Sequence, residues 1–423
     1  MPSTSSAAPD SALWRDADFR RLWVGQTASQ LGEHASLVVL SLIAVLTLHL
    51  DVGGLGALRA VGQAPLLLLS LFIGAWVDRW RARNVMMLAD LGRALVLTGV
   101  AAAALAGGLD LPILLVAGFA LGTMSVFFDV AYQALLVRML RRDQLLRGNS
   151  ALEGSRSAAQ IGGPALGGAL VSLPSASIAA VANGLLFALS FGSVSRIRHR
   201  EPAPEPAGRA PHVWREVREG VRFVAGEASL RAVCLASGAF QFSFAAVMTA
   251  YLVYLTEDLR LPGGAVGLVL AATGPGALAG ALLAARLPGR FGHGVVLVSA
   301  ATIGNGALLL VPAVQGTPAV TVPALAAINF VVGAFGQLVN VTVMAVRQAV
   351  TPDGMQGRAA ATITFAGMGL TPLGSLLGGL LAGGLGLRTA ILVAGAGMMV
   401  SPLVMVLSPL VRLGRELPVP EDR

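Results

Sequence analysis

The sequence predicts an all-α integral membrane protein with twelve transmembrane helices in two pseudo-symmetric six-helix bundles. Of its 423 residues, 55% are hydrophobic and only 12% are charged, which leaves too little polar surface for a soluble globule of this size. About a dozen apolar stretches each reach the roughly 20 residues needed to cross about 30 Å of hydrocarbon. The two halves of the chain also carry similar motifs in the same order.

The apolar stretches and the arginines between them define the orientation of the chain. The series begins with Leu22 to Leu50, Leu55 to Val77, Val85 to Ala106 and Leu111 to Val137, and it continues to Leu410. Alternate loops are rich in arginine, whereas the opposite loops carry mainly acidic residues, with Arg260 and Arg388 as exceptions. Because arginine in short loops resists translocation, both termini are predicted to be cytoplasmic in a multi-pass protein of the cell membrane.

One long polar stretch divides the chain near its middle. We expect a flexible cytoplasmic tail at 1–18, a first bundle at 19–195, a cytoplasmic linker at 196–228, a second bundle at 229–411 and a tail at 412–423. Within the linker, apolar side chains recur at helical spacing among charged ones over residues 213–225, as in an amphipathic helix on the membrane surface. A helix packed on neighbouring loops explains the same pattern equally well.

The two halves echo one another at an offset of about 210 residues, which is what a parallel duplication would leave. Asp129-Val130 is followed by a basic loop and then by a span with Pro164, Gly167 and Gly168. Asn340-Val341 is followed by Arg347 and Arg358, and then by a span with Pro372, Gly374, Gly378 and Gly379. A duplicated bundle implies a site on the axis between the halves.

After the second span the chain reads GAWVDRWRAR from Gly74 to Arg83. This segment resembles the loop between spans two and three of the major facilitator superfamily, although Arg81 stands where that family has its inner glycine and Ala82 where it has arginine. Further resemblance to the branch of macrolide and enterobactin exporters lies in residues 19–26 and 128–134. The resemblance implies the major facilitator fold and a cytoplasmic gate formed by Gly74, Asp78, Arg79, Arg83 and Asp129.

The fifth span carries GPALGG from Gly163 to Gly168, which resembles an element associated with the exporters of the superfamily. Its residues Gly163, Pro164, Gly167 and Gly168 would let helices approach closely, and glycine-rich packing occurs in many membrane bundles. The GPGALAG segment that begins at Gly274 is interpreted as helix packing, because no lysine follows it and no strand precedes it.

Ionisable groups at membrane depth are candidates for function. Gln26, Gln30 and Glu33 share one face of the first span, and we hypothesise that Glu33 exchanges a proton, with His34 or Gln30 as its neighbour. The alternative is a fixed carboxylate that only holds helices together. Asp90 with Arg93, and Glu153 with Arg156, are expected to form ion pairs within one helix. Arg59 is expected to snorkel, or else to face an anionic group in the cavity.

Polar and aromatic side chains in the spans are candidates for the lining of a substrate cavity, and each could equally serve helix packing. They are Gln26, Gln30, Tyr132, Phe240, Gln241, Phe244, Asn329, Gln337 and Asn340. Aromatic faces mixed with amides suit an amphipathic organic molecule better than a small ion.

These features predict a secondary transporter that exports a small drug-like compound by alternating access with proton antiport, and not an enzyme. The alternatives are export of a siderophore or another metabolite and, from a different class, an uncoupled channel. We expect a monomer in the lipid bilayer with no cofactor, no metal and no nucleic-acid partner, because the arginines are scattered over many loops and the histidines lack metal-ligand spacing. A Walker loop for ATP and a D-D-x-x-D motif for a membrane transferase are both absent from the sequence.

Overall fold

The structure is a computed structural model that describes residues 11–77, 80–140, 142–173, 175–199, 213–352 and 355–416. In these ranges all regular secondary structure is helical. The first half contains α1 (Ser11–Arg15), α2 (Ala17–Leu46), α3 (Val52–Val77), α4 (Ala82–Leu105), α5 (Leu111–Met139), α6 (Arg142–Val171) and α7 (Ala176–Ser195).

The second half begins with α8 (Val213–Gly226) in the linker region and continues with ten further helices. These are α9 (Ala228–Val253), α10 (Gly263–Ala271), α11 (Thr273–Ala284), α12 (Leu287–Phe291), α13 (His293–Ala307), α14 (Pro318–Val350), α15 (Gln356–Met368), α16 (Thr371–Leu385), α17 (Leu387–Met398) and α18 (Val400–Val406). A π-helix, Tyr254–Asp258, extends α9, and 3-10 turns follow α13 and α18.

Eleven segments within the described ranges are long and apolar enough to cross a membrane. Some combine two helices across a short break, as α10 with α11 and α17 with α18 do. The fifth predicted crossing corresponds to α6, a helix of 30 residues whose apolar part is Gly162–Val171. The predicted all-α membrane fold is confirmed, and these segments are consistent with twelve crossings.

Short polar side chains cap the first turns of several spans. Asp16 accepts a hydrogen bond of 2.8 Å from the Asp18 amide at the start of α2, and Asp110 accepts one of 3.0 Å from the Ile113 amide at the start of α5. Such caps satisfy amide groups that a helix leaves without partners. Between α16 and α17 the chain turns at Gly386, whose φ of 81° lies in the left-handed region that favours glycine.

Glycines bring the second and fourth spans of each bundle into backbone contact. In the first bundle, a Cβ added at Gly122 of α5 would overlap the Gly62 carbonyl oxygen of α3. In the second bundle, a Cβ added at Gly276 of α11 would overlap the Phe330 carbonyl oxygen of α14. Small residues favour this close approach in membranes, where helices associate through packing. The equivalent contacts support the internal duplication that the sequence suggests.

The two bundles meet at the end where α2 leads into α3 and α4 leads into α5, which we call the closed end. There Gly56 of α3 lies against Gly379 of α16, and Gly168 of α6 lies against Gly267 of α10. A shared hydrophobic cluster joins α2 and α3 to α9, α10 and α17. The opposite end, which holds α1, the start of α4 and the end of α7, carries most loop arginines, and we call it the basic end.

At the basic end, α8 packs against α15 of the second bundle. Arg358 pairs with Glu219 of α8 at 2.8 Å, and Gly220 lies against the Arg358 backbone and the Thr362 hydroxyl. Val224 is buried in the cluster beneath them. Packing on neighbouring protein, one of the two interpretations of this segment, therefore accounts for one face of α8.

The residues expected to form the N-terminal tail contain α1 and the first turn of α2. Leu13 of α1 is buried in the core of the first bundle, so α1 is attached to the bundle through this side chain. Residues 200–212 of the linker lie outside the described ranges.

Candidate functional site

The interior of the first bundle contains a buried polar cluster centred on Arg93 of α4. One guanidinium nitrogen, Nη2, lies 2.6 Å from Asp90 Oδ1 and donates to the Ser29 hydroxyl at 2.7 Å. The other terminal nitrogen, Nη1, lies 3.3 Å from the Ser125 hydroxyl and 3.5 Å from Glu33 Oε2. The cluster thus joins α2, α4 and α5 through one cation.

Two aromatic rings enclose the Arg93 guanidinium. Its central carbon lies 4.7 Å from the centre of the Phe128 ring and 4.5 Å from the centre of the Phe187 ring. Aromatic faces attract cations most strongly where water is excluded, and the Arg93 side chain is only 1% exposed. The Glu33 side chain is 26% exposed, so it is the accessible member of its pair with Arg93.

The polar residues of α2 contact three different helices of the first bundle. Gln26 accepts a hydrogen bond of 2.8 Å from Ser155 of α6, and Gln30 donates one of 2.9 Å to Asp129 of α5. Glu33 faces Arg93 of α4. The face identified from the sequence therefore points into the first bundle, but the partner of Glu33 is Arg93 and not His34 or Gln30. The Gln30 amide is occupied by Asp129, and His34 packs against Gly163 of α6.

The residues expected to form the gate are described only in part. Gly74 lies in the last turn of α3, and Asp78 and Arg79 lie outside the described ranges. Arg83 donates through Nε to the Val194 carbonyl at 3.2 Å and through Nη2 to the Ser195 carbonyl, so it caps the C-terminus of α7. The Asp129 carboxylate, expected near this loop, accepts its hydrogen bond from Gln30 in the bundle interior.

The glycine motif of the fifth span contacts helices on two sides. Gly163 and Gly167 lie against His34 and Val38 of α2, within the same bundle. Gly168 lies against Gly267 of α10, in the other bundle. The helix continues through Pro164 to Val171. The motif thus packs the first bundle and also forms part of the closed end.

The second bundle supplies a stacked aromatic pair near the interface. The rings of Phe240 and Phe244 in α9 stack with their centres 5.3 Å apart, and both side chains are partly buried. Gln241 in the same turns and Gln337 of α14 are half-buried, and Asn340 is exposed. These residues remain available to line a cavity.

Two of the other cavity candidates are buried against residues of neighbouring helices or of their own helix. Asn329 donates to the Tyr251 hydroxyl at 2.7 Å and to the Leu325 carbonyl at 2.9 Å. Tyr132 packs in the core of the first bundle, with its ring 6.3 Å from that of Phe128. Their contacts correspond to helix packing, the alternative that the sequence left open for each of them.

Two arginines have larger roles than their sequence context indicated. The pair of Asp90 with Arg93 is present, but Arg93 also reaches Glu33, a contact that spacing within one helix does not reveal. Arg59 of α3 donates through Nη1 to the Met248 carbonyl of α9 at 3.4 Å, so it bridges the bundles near the closed end. The signal for both was an arginine inside an apolar stretch.

Comparison with known proteins agrees with this architecture. A family model described as transmembrane secretion effector matches residues 5–421. The multidrug efflux pump Tap of Mycolicibacterium fortuitum is 26% identical over 362 residues, which cover 83% of this chain and 86% of that protein.

Solved structures share the fold at low sequence identity. A bacterial homologue of the iron transporter ferroportin, in an inward-facing state, superposes with a TM-score of 0.74 at 17% identity, covering 94% of this chain and 99% of its own. A bacterial homologue of the human lysosomal transporter Spinster, inward-facing and occupied, gives a TM-score of 0.71 at 13% identity, covering 93% and 96%.

Proposed function

Because the chain belongs to the transmembrane secretion effector family of the major facilitator superfamily, it is a membrane transporter and not an enzyme, and we propose that it exports a small amphipathic, drug-like compound in exchange for protons. The observation that carries the proposal is the ion pair of Glu33 and Arg93 in the interior of the first bundle. The second bundle packs against this bundle at the closed end. Charges at this depth are retained where they serve transport.

The contacts between the bundles support alternating access. Two bundles that pack tightly at one end through small residues can rock about that contact and expose a site between them to either side. The glycine pairs Gly56 with Gly379 and Gly168 with Gly267 supply such a contact. Two solved structures with this fold are described as inward-facing, which supports the same state here, with the basic end at the cytoplasm.

The charge balance of the Arg93 cluster supports proton exchange. Arg93 faces two carboxylates, Asp90 and Glu33, and Arg156 lies in the field of Glu33, Asp129 and Glu153, so full ionisation of these groups leaves a net negative charge in the bundle interior. Neutralising such a charge with a proton costs less than burying it alone. Asp90 holds Arg93 at 2.6 Å, whereas Glu33 is more distant and more exposed. Glu33 is therefore the group that gains and loses the proton, and Asp129 beside Gln30 is a second acceptor.

The second bundle and the relative Tap support an amphipathic substrate. The stacked rings of Phe240 and Phe244 offer apolar faces, and Gln241 offers an amide nearby. A curated relative at 26% identity is a multidrug efflux pump, which favours drug-like compounds over siderophores and other metabolites.

Transport by proteoliposomes containing the purified protein tests the coupling. Lipophilic dyes and macrolides serve as substrates, and a pH gradient is imposed with and without a protonophore. We expect wild-type transport that collapses with the protonophore, and Glu33→Gln protein that no longer responds to the gradient, because the amide cannot exchange a proton. Glu257→Gln, which neutralises an exposed carboxylate at the closed end, serves as the control and should transport normally.

Two results would contradict the proposal. Glu33→Gln protein that still follows the pH gradient would exclude Glu33 as the coupling group. Flux that runs down the substrate gradient regardless of protonophore, at a rate that does not saturate, would indicate the alternative of an uncoupled channel.

A further inference from the structure

An arginine-lined pocket lies at the basic end of the first bundle, where the start of α2, the start of α4 and the end of α7 come together. Its volume is about 580 Å³, and it is lined by Arg21, Arg83, Ser195, Arg196, Ile197 and Arg198. Four of these six residues are arginines contributed by three separate parts of the chain. Arg83 and Arg93 both belong to α4, about 15 Å apart along the helix axis, so the pocket is separate from the Arg93 cluster.

The pocket carries an excess of positive charge. Asp18 is the carboxylate that contacts its residues: it pairs with Arg21 at 2.8 Å and accepts the Arg198 amide at 3.0 Å. Arg196 donates to the Gly192 carbonyl at 3.1 Å, a neutral acceptor, and its side chain is exposed. Of the guanidiniums of Arg21, Arg196 and Arg198, that of Arg21 is the one seen to contact this carboxylate, because Asp18 binds Arg198 through the backbone amide.

Backbone contacts hold part of the pocket in place. Arg83 donates to the carbonyls of Val194 and Ser195, and the Ser193 hydroxyl donates to the Arg21 carbonyl at 2.8 Å. These bonds fix α2 and α4 against the end of α7. The arginines are thus carried by a packed backbone, which lowers the ordering cost of binding an anion.

Aromatic residues beside the pocket mark the depth of the lipid headgroups. Trp14 of α1 is 42% exposed, and its ring packs edge-on against Phe19 and Trp23 of α2, with both centres 5.4 Å away. Tryptophan is enriched where hydrocarbon meets water. Because Arg21 lies between these two residues of α2, its pocket opens at the same depth.

We propose that this pocket binds a phosphate group, supplied by the headgroup of an anionic phospholipid. Arginine presents planar pairs of donors that match two phosphate oxygens, and a cluster of arginines favours a group with more than one anionic oxygen. Basic pockets between spans at the headgroup level provide such sites for anionic lipids. A bound lipid would fasten the ends of α2, α4 and α7 together.

Native mass spectrometry of the purified full-length protein in neutral detergent tests the proposal. Short-chain phosphatidylglycerol, short-chain phosphatidylcholine and inorganic phosphate are titrated separately. The pocket variant is Arg196→Gln with Arg198→Gln, which changes two exposed side chains. The control variant is Arg412→Gln with Arg415→Gln, which removes the same charge from positions at the basic end outside the pocket.

We expect the wild type and the control to bind one phosphatidylglycerol in preference to phosphatidylcholine, and the pocket variant to bind it about thirtyfold more weakly, given the usual contribution of each arginine. If the binding of inorganic phosphate depends on Arg196 and Arg198 and the binding of phosphatidylglycerol does not, the ligand is a soluble phosphate and not a lipid. Equal losses in both variants, or equal binding of the two lipids, would overturn the site itself.

Discussion

At the scale of single residues, Arg93 organises the interior of the first bundle. It holds Asp90 and Ser29 at hydrogen-bond distance, faces Glu33, and lies between the rings of Phe128 and Phe187. A buried cation with these partners is costly to disturb, because removing it leaves a buried carboxylate without compensation.

Arg93→Met is expected to lower the free energy of unfolding by about 3–5 kcal/mol, the usual effect of breaking a buried ion pair. Adding Asp90→Asn should recover much of the loss, because Asp90 is the closer and more deeply buried of the two carboxylates that lose their partner. Titration of the detergent-solubilised protein with a denaturing detergent measures both variants.

Arg215→Met is the matched control for this prediction. The Arg215 pair with Glu219 spans 3.0 Å within α8 and is largely exposed, so we expect its loss to cost about 0–1 kcal/mol. If Arg93→Met were as mild as this control, or if Asp90→Asn added a further loss, Arg93 would not be the centre of the cluster.

The sequence predicted one side of this site and not the other. Gln26, Gln30 and Glu33 lie on one helix, and a periodicity of 3.6 residues was enough to place them on one face. Their partners lie on α4, α5 and α6, and periodicity within a helix does not say which helix faces it. Spacing within α4 therefore pairs Arg93 with Asp90 alone, whereas its contact with Glu33 depends on how α2 packs against α4.

At the scale of helices, the fifth and eleventh spans have the same packing role in their bundles. Gly163 and Gly167 lie against α2 of their own bundle, and Gly168 lies against the other bundle. In the eleventh span Gly374 and Gly378 lie against α9, and Gly379 lies against α3 of the other bundle. The interval in the sequence from Gly163 to Gly374 is the same as that from Gly167 to Gly378 and from Gly168 to Gly379. The spacing of these glycines was visible in the sequence, but the helices that they contact were not.

Gly168→Val is expected to open the closed end, because the added side chain would occupy the space of the Gly267 backbone. A cysteine at Val171, a half-buried residue whose side chain packs against Gly263 of the other bundle, should then react with a water-soluble maleimide about tenfold faster as the minor open state becomes the major one. The native Cys234 is replaced by serine in all variants of this test.

Gly383→Val serves as the control for this substitution. Gly383 lies in α16 at the same end of the molecule, and a Cβ there would meet nothing within 4 Å. Labelling of Val171→Cys should be unchanged in this background. Equal labelling in the two valine variants would mean that the contact of Gly168 with Gly267 does not hold the bundles together.

At the scale of the whole molecule, the asymmetry of charge and the asymmetry of packing follow the same axis. Arginine is concentrated at the basic end, and the tight contacts between the bundles lie at the closed end. The charge asymmetry depends on which loops carry arginine, so the order of residues along the chain is enough to predict it. The packing asymmetry depends on how two separately packed bundles fit together, which hydropathy does not encode.

The orientation gives a prediction for intact cells. A cysteine at Arg81 of the basic end should be protected from a membrane-impermeant maleimide, and a cysteine at Gly108 of the closed end should react, in a chain lacking Cys234. Lysed cells provide the control in which both positions react. Labelling at position 81 alone in intact cells would show that the protein has the opposite orientation.

In the proposed mechanism, the two ends of the transporter open in alternation under the control of a proton. Double electron–electron resonance measures the distance between two spin labels at each end of the molecule, at pH 8 and at pH 5. The labels replace Gly108 and Gln315 at the closed end, and Arg81 and Gly289 at the basic end. Lowering the pH, or introducing Glu33→Gln, should lengthen one of the two distances and shorten the other. Distances that both stay constant, or that both change in the same direction, would contradict alternating access under proton control.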